Sequence, residues 1–252
     1  MQNLHKCLAF GCFLAFFMLL TGCETYGPAS QFQHAKMLEH PFSGGHDTLG
    51  IYASGRVGNG ITYFADDNNY VGELSANVGW VGKGWLGNRM SSGFGLFGQL
   101  GQYQVKDTSA FKYYSFGMRY GGGMIVTSGN TEFSLLQTMI SLGFENGSFY
   151  DFRKSVESKK DSASRQAPNN FWIEYQMGFG VKHKFENEQT LAGQLGITYS
   201  VGNTVGLCFF GNLTYQIQKR LFINLYTTFP LVKHNDNRRI RNMFSLGFTY
   251  GF

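Results

Sequence analysis

Phe244-Ser-Leu-Gly-Phe-Thr-Tyr-Gly-Phe252 carries the pattern on which the reading of the whole chain turns. Every second residue, Phe244, Leu246, Phe248, Tyr250 and Phe252, is large and apolar. The residues between them, Ser245, Gly247, Thr249 and Gly251, are small. Successive side chains of a strand point to opposite faces. The segment therefore predicts a strand with one aromatic face and one small face that tolerates water.

The composition extends this pattern to the rest of the chain. The 252 residues hold one large all-β domain or two small ones. Aromatics make up 17%, glycine is frequent at 34 and proline rare at 4, and charged residues reach only 15%. A soluble domain usually carries about 25% charged residues. A mean hydropathy of −0.18 excludes a helical membrane protein. Strands that are apolar on one side only account for all of these values. The predicted fold is all-β: a transmembrane antiparallel up-and-down β-barrel. The alternative is a glycine-rich soluble sandwich. The net charge of +5 is mild and does not point to nucleic acid.

Ten segments show period-two alternation. They lie near 48–57, 70–82, 93–105, 111–121, 132–151, 170–185, 190–200, 205–217, 220–229 and 244–252. The sixth is clear, with Phe171, Ile173, Tyr175, Met177, Phe179 and Val181 set against Glu174, Gln176, Gly178 and Gly180. The fifth is the least regular, and Leu136, Ile140, Leu142 and Phe144 are expected outward, with Gln137, Ser141 and Glu145 inward. Each segment has roughly the 9–11 residues that a tilted strand needs to cross a bilayer. An even strand number puts both termini on one side. Short turns are expected there, as at 186–189 and 218–220, and long loops at the other end, as at 58–69, 152–169 and 230–239. Two connections fit this less well: 83–92 is long for its side and 201–204 short. Eight or twelve strands therefore stay open beside ten.

The N-terminus reads as an address. A short polar start (Met1 to Lys6) precedes an apolar run from Cys7 to Leu20, too short to span a bilayer as a helix. Residues 1–22 are the expected signal peptide. Leu20-Thr21-Gly22-Cys23 follows and resembles the lipobox of bacterial lipoproteins. That resemblance implies cleavage before Cys23, its lipidation and export by the lipoprotein machinery. Residues 23–47 are expected to form a periplasmic tether or short helix, lying on the membrane or entering the lumen, and 48–252 the barrel. The C-terminal strand, with Tyr250 and Phe252, resembles the recognition signal of bacterial outer-membrane β-barrel proteins. This implies insertion by the barrel assembly machinery and an outer-membrane location, among its lipids and lipopolysaccharide.

The residues with chemical potential fall into two groups. Arg56, Glu73, Arg119, Glu145 and Glu174 are expected to point inward. Charges in a narrow lumen, with a backbone radius on the order of 10 Å for ten strands, must pair or stay wet. They form either a structural ion-pair network that closes the lumen or a polar path for small solutes. The second group is basic and sits in the expected outer loops: Arg153, Lys154, Lys159, Lys160 and Arg165, then Lys233, Arg238, Arg239 and Arg241. Such groups suit phosphates or anionic glycans outside the outer leaflet. His34, His40 and His46 are six residues apart, a spacing that does not make a helical metal site, and no cofactor is implied. His183 and His234 lack a neighbouring Ser or acidic pattern typical of barrel enzymes. The expected function is structural or surface contact through basic loops. A narrow pore is the alternative, and a barrel enzyme acting on lipid or peptide is the second alternative.

Overall fold

A strand that is apolar on one face can satisfy its backbone and shed its edges by pairing on both sides and closing on itself. The chain does this with ten strands. The structure, a computed structural model, describes residues 37–59, 69–84, 88–104, 109–159, 170–201, 206–230 and 243–252. The strands are β1 (Thr48–Asn59), β2 (Tyr70–Lys83), β3 (Arg89–Gln104), β4 (Ala110–Ser128) and β5 (Thr131–Asn146), then β6 (Phe171–Lys184), β7 (Thr190–Val201), β8 (Gly206–Gln218), β9 (Leu221–Pro230) and β10 (Met243–Gly251). Each pairs antiparallel with the next, and β1 pairs with β10, so the barrel is closed. Of the strand counts considered, ten is the one observed. The opening stretch forms the seam: Phe248 lies opposite Gly55 and Gly247 opposite Arg56.

The mouth where β1 starts and β10 ends is called the near mouth here, and the opposite one the far mouth. At the near mouth β4 and β5 are joined by Gly129 and Asn130, β6 and β7 by Phe185–Gln189, and β8 and β9 by Lys219 and Arg220. The long near-side connection expected at 83–92 is corrected to 84–88. Arg89 already pairs with Lys83, and Ser91, Ser92 and Gly93 continue β3 without the bulky alternation that marks the other strands. The connection expected as loop at 152–169 opens with a helix, α1 (Ser148–Ser158). β5 correspondingly ends at Asn146 rather than near 151. Gly147 turns the chain into α1 at φ 115°, a conformation that glycine adopts without strain.

The outer wall is apolar and exposed, with Leu49, Leu74, Leu100, Phe116, Leu195 and Phe248 among the residues that project from it. The inner face carries Arg, Glu, Gln, Asn, Ser and Thr, most of them buried, with Gln194, Asn212 and Thr214 partly exposed. β5 explains its own irregular pattern. Glu132 and Ser134 point inward, then Leu135 and Leu136 both point outward, and Gln137, Met139, Ser141 and Glu145 point inward again. The register shifts between Ser134 and Gln137, and Leu136 has φ 49°. This is a β-bulge, which inserts one residue and so reverses the parity of the strand.

Candidate functional site

The inner face of β1 to β4 builds a charged belt. In the β1–β2 register Arg56 lies opposite Glu73. Arg56 Nη2 donates to Glu73 Oε2 at 2.8 Å, and Arg119 Nη2 donates to Glu73 Oε1 at 2.8 Å. Gln99 Nε2 adds a bond to Glu73 Oε2 at 2.9 Å. All three charged side chains are buried. One carboxylate thus serves two guanidiniums, and aromatic faces take up the remaining positive charge. Arg119 lies 4.5 Å from the centroid of the Phe97 ring and Arg56 5.3 Å from that of Tyr226. Phe97 in turn stacks on Trp172 at 5.8 Å. These contacts join strands that are not neighbours: β1 meets β9 and β3 meets β6 through the lumen.

Beyond the belt, toward the far mouth, α1 folds onto β4 and β5. Phe149, Arg153 and Glu157 are spaced four apart, share one face and are buried. Arg153 Nη1 reaches Glu145 Oε1 at 3.1 Å. Phe149 lies against Tyr103 with ring centroids 4.3 Å apart, and Phe152 against Phe111 at 4.5 Å. Val71, Tyr113, Cys208 and Met243 complete an apolar layer inside the barrel.

From the near mouth, residues 37–47 enter the lumen as an extended strap. Met37 and Leu38 pack with Met139 and Phe210. The wall is cut away to receive it. A Cβ on Gly79 would lie 2.2 Å from the Glu39 carbonyl oxygen, and one on Gly95 3.0 Å from a Leu38 methyl carbon. Asn77 Nδ2 donates to Glu39 O at 3.1 Å. Lys182 Nζ donates to His40 O. Glu132 Oε1 accepts from Ser43 N at 2.7 Å, from Gly44 N at 3.1 Å and from Ser43 Oγ. Arg89 bonds Gly45 O at 2.6 Å and Asp47 Oδ1 at 3.0 Å, closing the strap at the rim. The His40 ring sits between Ser134 Oγ (3.4 Å) and Lys182 Nζ (3.5 Å). Burial, together with the charge on Lys182, lowers its pKa to about 3, so the ring is neutral. Between the strap and β7–β10 lies a cavity of about 550 Å³.

The sequence-predicted residues divide as follows. Arg56, Glu73 and Arg119 meet. Glu145 is buried but pairs with Arg153, and Glu174 is buried on β6 with Gln176 Nε2 at 3.4 Å. Arg153 is corrected from an exposed loop cation to a buried one, because it shares the inward face of α1 with Phe149. Lys154 and Lys159 are exposed, and Lys154 lies 3.7 Å from Asp151. Tyr250 and Phe252 face outward with ring centroids 5.0 Å apart, and Phe252 N donates to Ile51 O at 2.9 Å. His183 is hydrogen-bonded to Thr131 Oγ1 at 2.9 Å. Cys23, His34, Lys160, Arg165, Lys233, His234, Arg238, Arg239 and Arg241 lie outside the described residues. Sequence reasoning missed the inward aromatics Phe97, Trp172, Phe210 and Tyr226, and the strap contacts of Glu132 and Lys182. Parity was the available signal for the aromatics, since each of the four sits on the polar register of its strand.

No family model matches the chain, and no curated protein matches it. Among solved structures, the chain is similar to the beta domain of the Bordetella autotransporter BrkA. The identity there is 11% over 81% of this chain and 99% of that one, with a TM-score of 0.42. It is also similar to the transport unit of the autotransporter AIDA-I from Escherichia coli, at 13% identity over 90% and 100%, TM-score 0.42. An outer membrane channel from Pseudomonas putida F1 is similar at 8% identity over 87% and 98%, TM-score 0.34. Likenesses this distant say nothing of function.

Proposed function

We propose that the protein is an outer-membrane β-barrel held by a lipid on Cys23, with its near mouth to the periplasm and its far mouth to the outside. Its role is structural or surface contact rather than transport or catalysis. Basic groups beyond the far mouth, Lys154 and Lys159 among them, meet lipopolysaccharide phosphates or other anionic surfaces. The observation that carries this reading is the filled lumen: the belt around Glu73 and the apolar layer under α1 follow one another along the axis. The exposed apolar outer wall supports a lipid-facing position, because such a surface in water would be an aggregation site. The test is conductance of the full chain in planar lipid bilayers. Current at the level of the bare membrane is expected. A stable conductance step would overturn the closed-barrel reading in favour of a narrow pore. Metabolic labelling with a radioactive fatty acid tests the anchor, with label expected on the parent chain and lost in Cys23→Ala.

A further inference from the structure

We propose that the cavity at the near mouth is a binding site for a short saccharide bearing an anionic substituent. Its volume, about 550 Å³, lies in the range of small-ligand sites. Its two sides differ in chemistry. One is the inner face of β7 to β10, where Gln194, Asn212, Thr214 and Thr249 line the cavity. None of these four is charged, and amides and hydroxyls each offer both donors and acceptors. They are already ordered. Asn212 Nδ2 donates to Gln194 Oε1 at 3.3 Å, Thr214 Oγ1 to Asn224 Oδ1 at 2.7 Å, and Asn224 Nδ2 to Thr249 Oγ1 at 2.9 Å. Among the described residues, Asn212 Oδ1 is a buried acceptor with no hydrogen-bond partner. The strap side presents carbon from Met37, Pro41 and Phe42 beside the polar Glu39 and His40, and the rings of Tyr52 on β1 and Phe222 on β9 add apolar surface to the wall. A sugar ring has this same division, with hydroxyls around its edge and C–H groups on its faces. Elsewhere in the lumen the polar side chains are consumed by ion pairs, as at Glu73 and Glu145, or by the strap backbone, as at Glu132. Here they bond one another and neighbouring side chains and also border open space. Lys184 and Lys219 stand at the rim with Glu188, while Lys182 and Glu39 also line the cavity, so cations outnumber carboxylates by one and the rim, away from Glu39, favours a carboxylate or phosphate on the ligand.

The experiment is isothermal titration of the full-length protein in detergent with cellobiose and with its uronic acid, cellobiouronic acid. The acid is expected to bind with a dissociation constant below about 1 mM and more tightly than the neutral sugar. The double variant Gln194→Leu/Asn212→Leu is expected to weaken both by about tenfold or more. Lys184→Gln is expected to remove the preference for the acid and leave cellobiose unchanged. Native folding of each variant is checked by heat-dependent migration in gels. If the double variant does not fold, Lys184→Gln decides: an abolished preference supports the site and an unchanged one overturns it. Failure of the parent chain to bind either sugar would make the cavity a water-filled mouth. Undiminished binding by the folded double variant would place any sugar site elsewhere. Both outcomes overturn the proposal.

Discussion

Glu73 is the residue on which most of the lumen chemistry converges, since Arg56, Arg119 and Gln99 all bond its carboxylate. Removing one charge from a buried cluster costs about 3–5 kcal/mol, because the remaining ions keep their desolvation cost without the attraction. Glu73→Gln is therefore expected to lower stability by about that much in guanidinium unfolding of the detergent-solubilised barrel. The triple replacement Arg56→Met/Glu73→Leu/Arg119→Met is expected to retain most of the parent stability, since no ion is left without a partner. If Glu73→Gln unfolds like the parent, the belt is not electrostatically coupled. This cluster was legible in the sequence, because each member occupies the small, polar register of an alternating strand. Its aromatic partners were not. A large residue on the inner register, such as Phe97 after Phe94 and Leu96, looks like a lapse in alternation until the lumen is known to be filled.

At the scale of the element, the strap is the part of the fold that the sequence left open. Residues 37–47 have no period, and extended chain inside a barrel is specified by the wall rather than by itself. The marks were there as glycines at inward positions, Gly79, Gly93 and Gly95, but glycine also suits turns and bulges, so they were ambiguous alone. A Cβ at Gly79 would meet strap backbone at 2.2 Å, which no rotamer change can relieve. Gly79→Val is thus expected to expel the strap while β2 keeps its pairing. A cysteine at position 38, in a Cys208→Ser background, reports it: slow maleimide labelling in the parent, at least about tenfold faster in the variant. Acid should act in the same direction. His40 is held neutral in the docked strap, with its folded pKa lowered to about 3, whereas a free histidine titrates near 6.5. Its contribution to docking is complete above about pH 6.5 and falls as the pH drops below it, about tenfold per unit, until the docked ring also protonates near 3. Lys182, the cation beside the ring, opposes protonation, while Glu39 and Glu132 are the nearby carboxylates. Because maleimide attacks the thiolate, whose fraction falls with pH, the rate is read relative to a freely exposed cysteine at the same pH. That ratio at position 38 should rise between pH 7 and 5, and His40→Gln should flatten the rise. The bulge at Leu135–Leu136 also hid part of the fold from the sequence. A single inserted residue reverses parity, so any fixed period assigned to β5 mislabels one half of it.

For the whole molecule, strand number and location of the apolar wall followed from alternation, whereas the contents of the lumen depend on contacts between residues far apart in the chain. Three layers stand along the axis: the strap, the belt and the apolar layer under α1. Barriers in series do not share an ion's path equally, and the tightest one sets the current. The strap occupies only part of the near half, beside an open cavity. The belt ties non-adjacent strands together through the lumen, β1 to β9 by Arg56–Tyr226 and β3 to β6 by Phe97–Trp172. Deletion of residues 37–46 should therefore leave the bilayer as silent as the parent does, although the near cavity grows. Replacing α1 with a short turn should also leave it silent, because the belt lies deeper. A chain without strap and α1 and with Arg56, Glu73, Arg119, Phe97 and Trp172 all changed to Ala should give stable conductance steps, since a ten-stranded wall has a backbone radius on the order of 10 Å. Conductance from the strap deletion alone would mean that the strap, rather than the belt, closes the barrel.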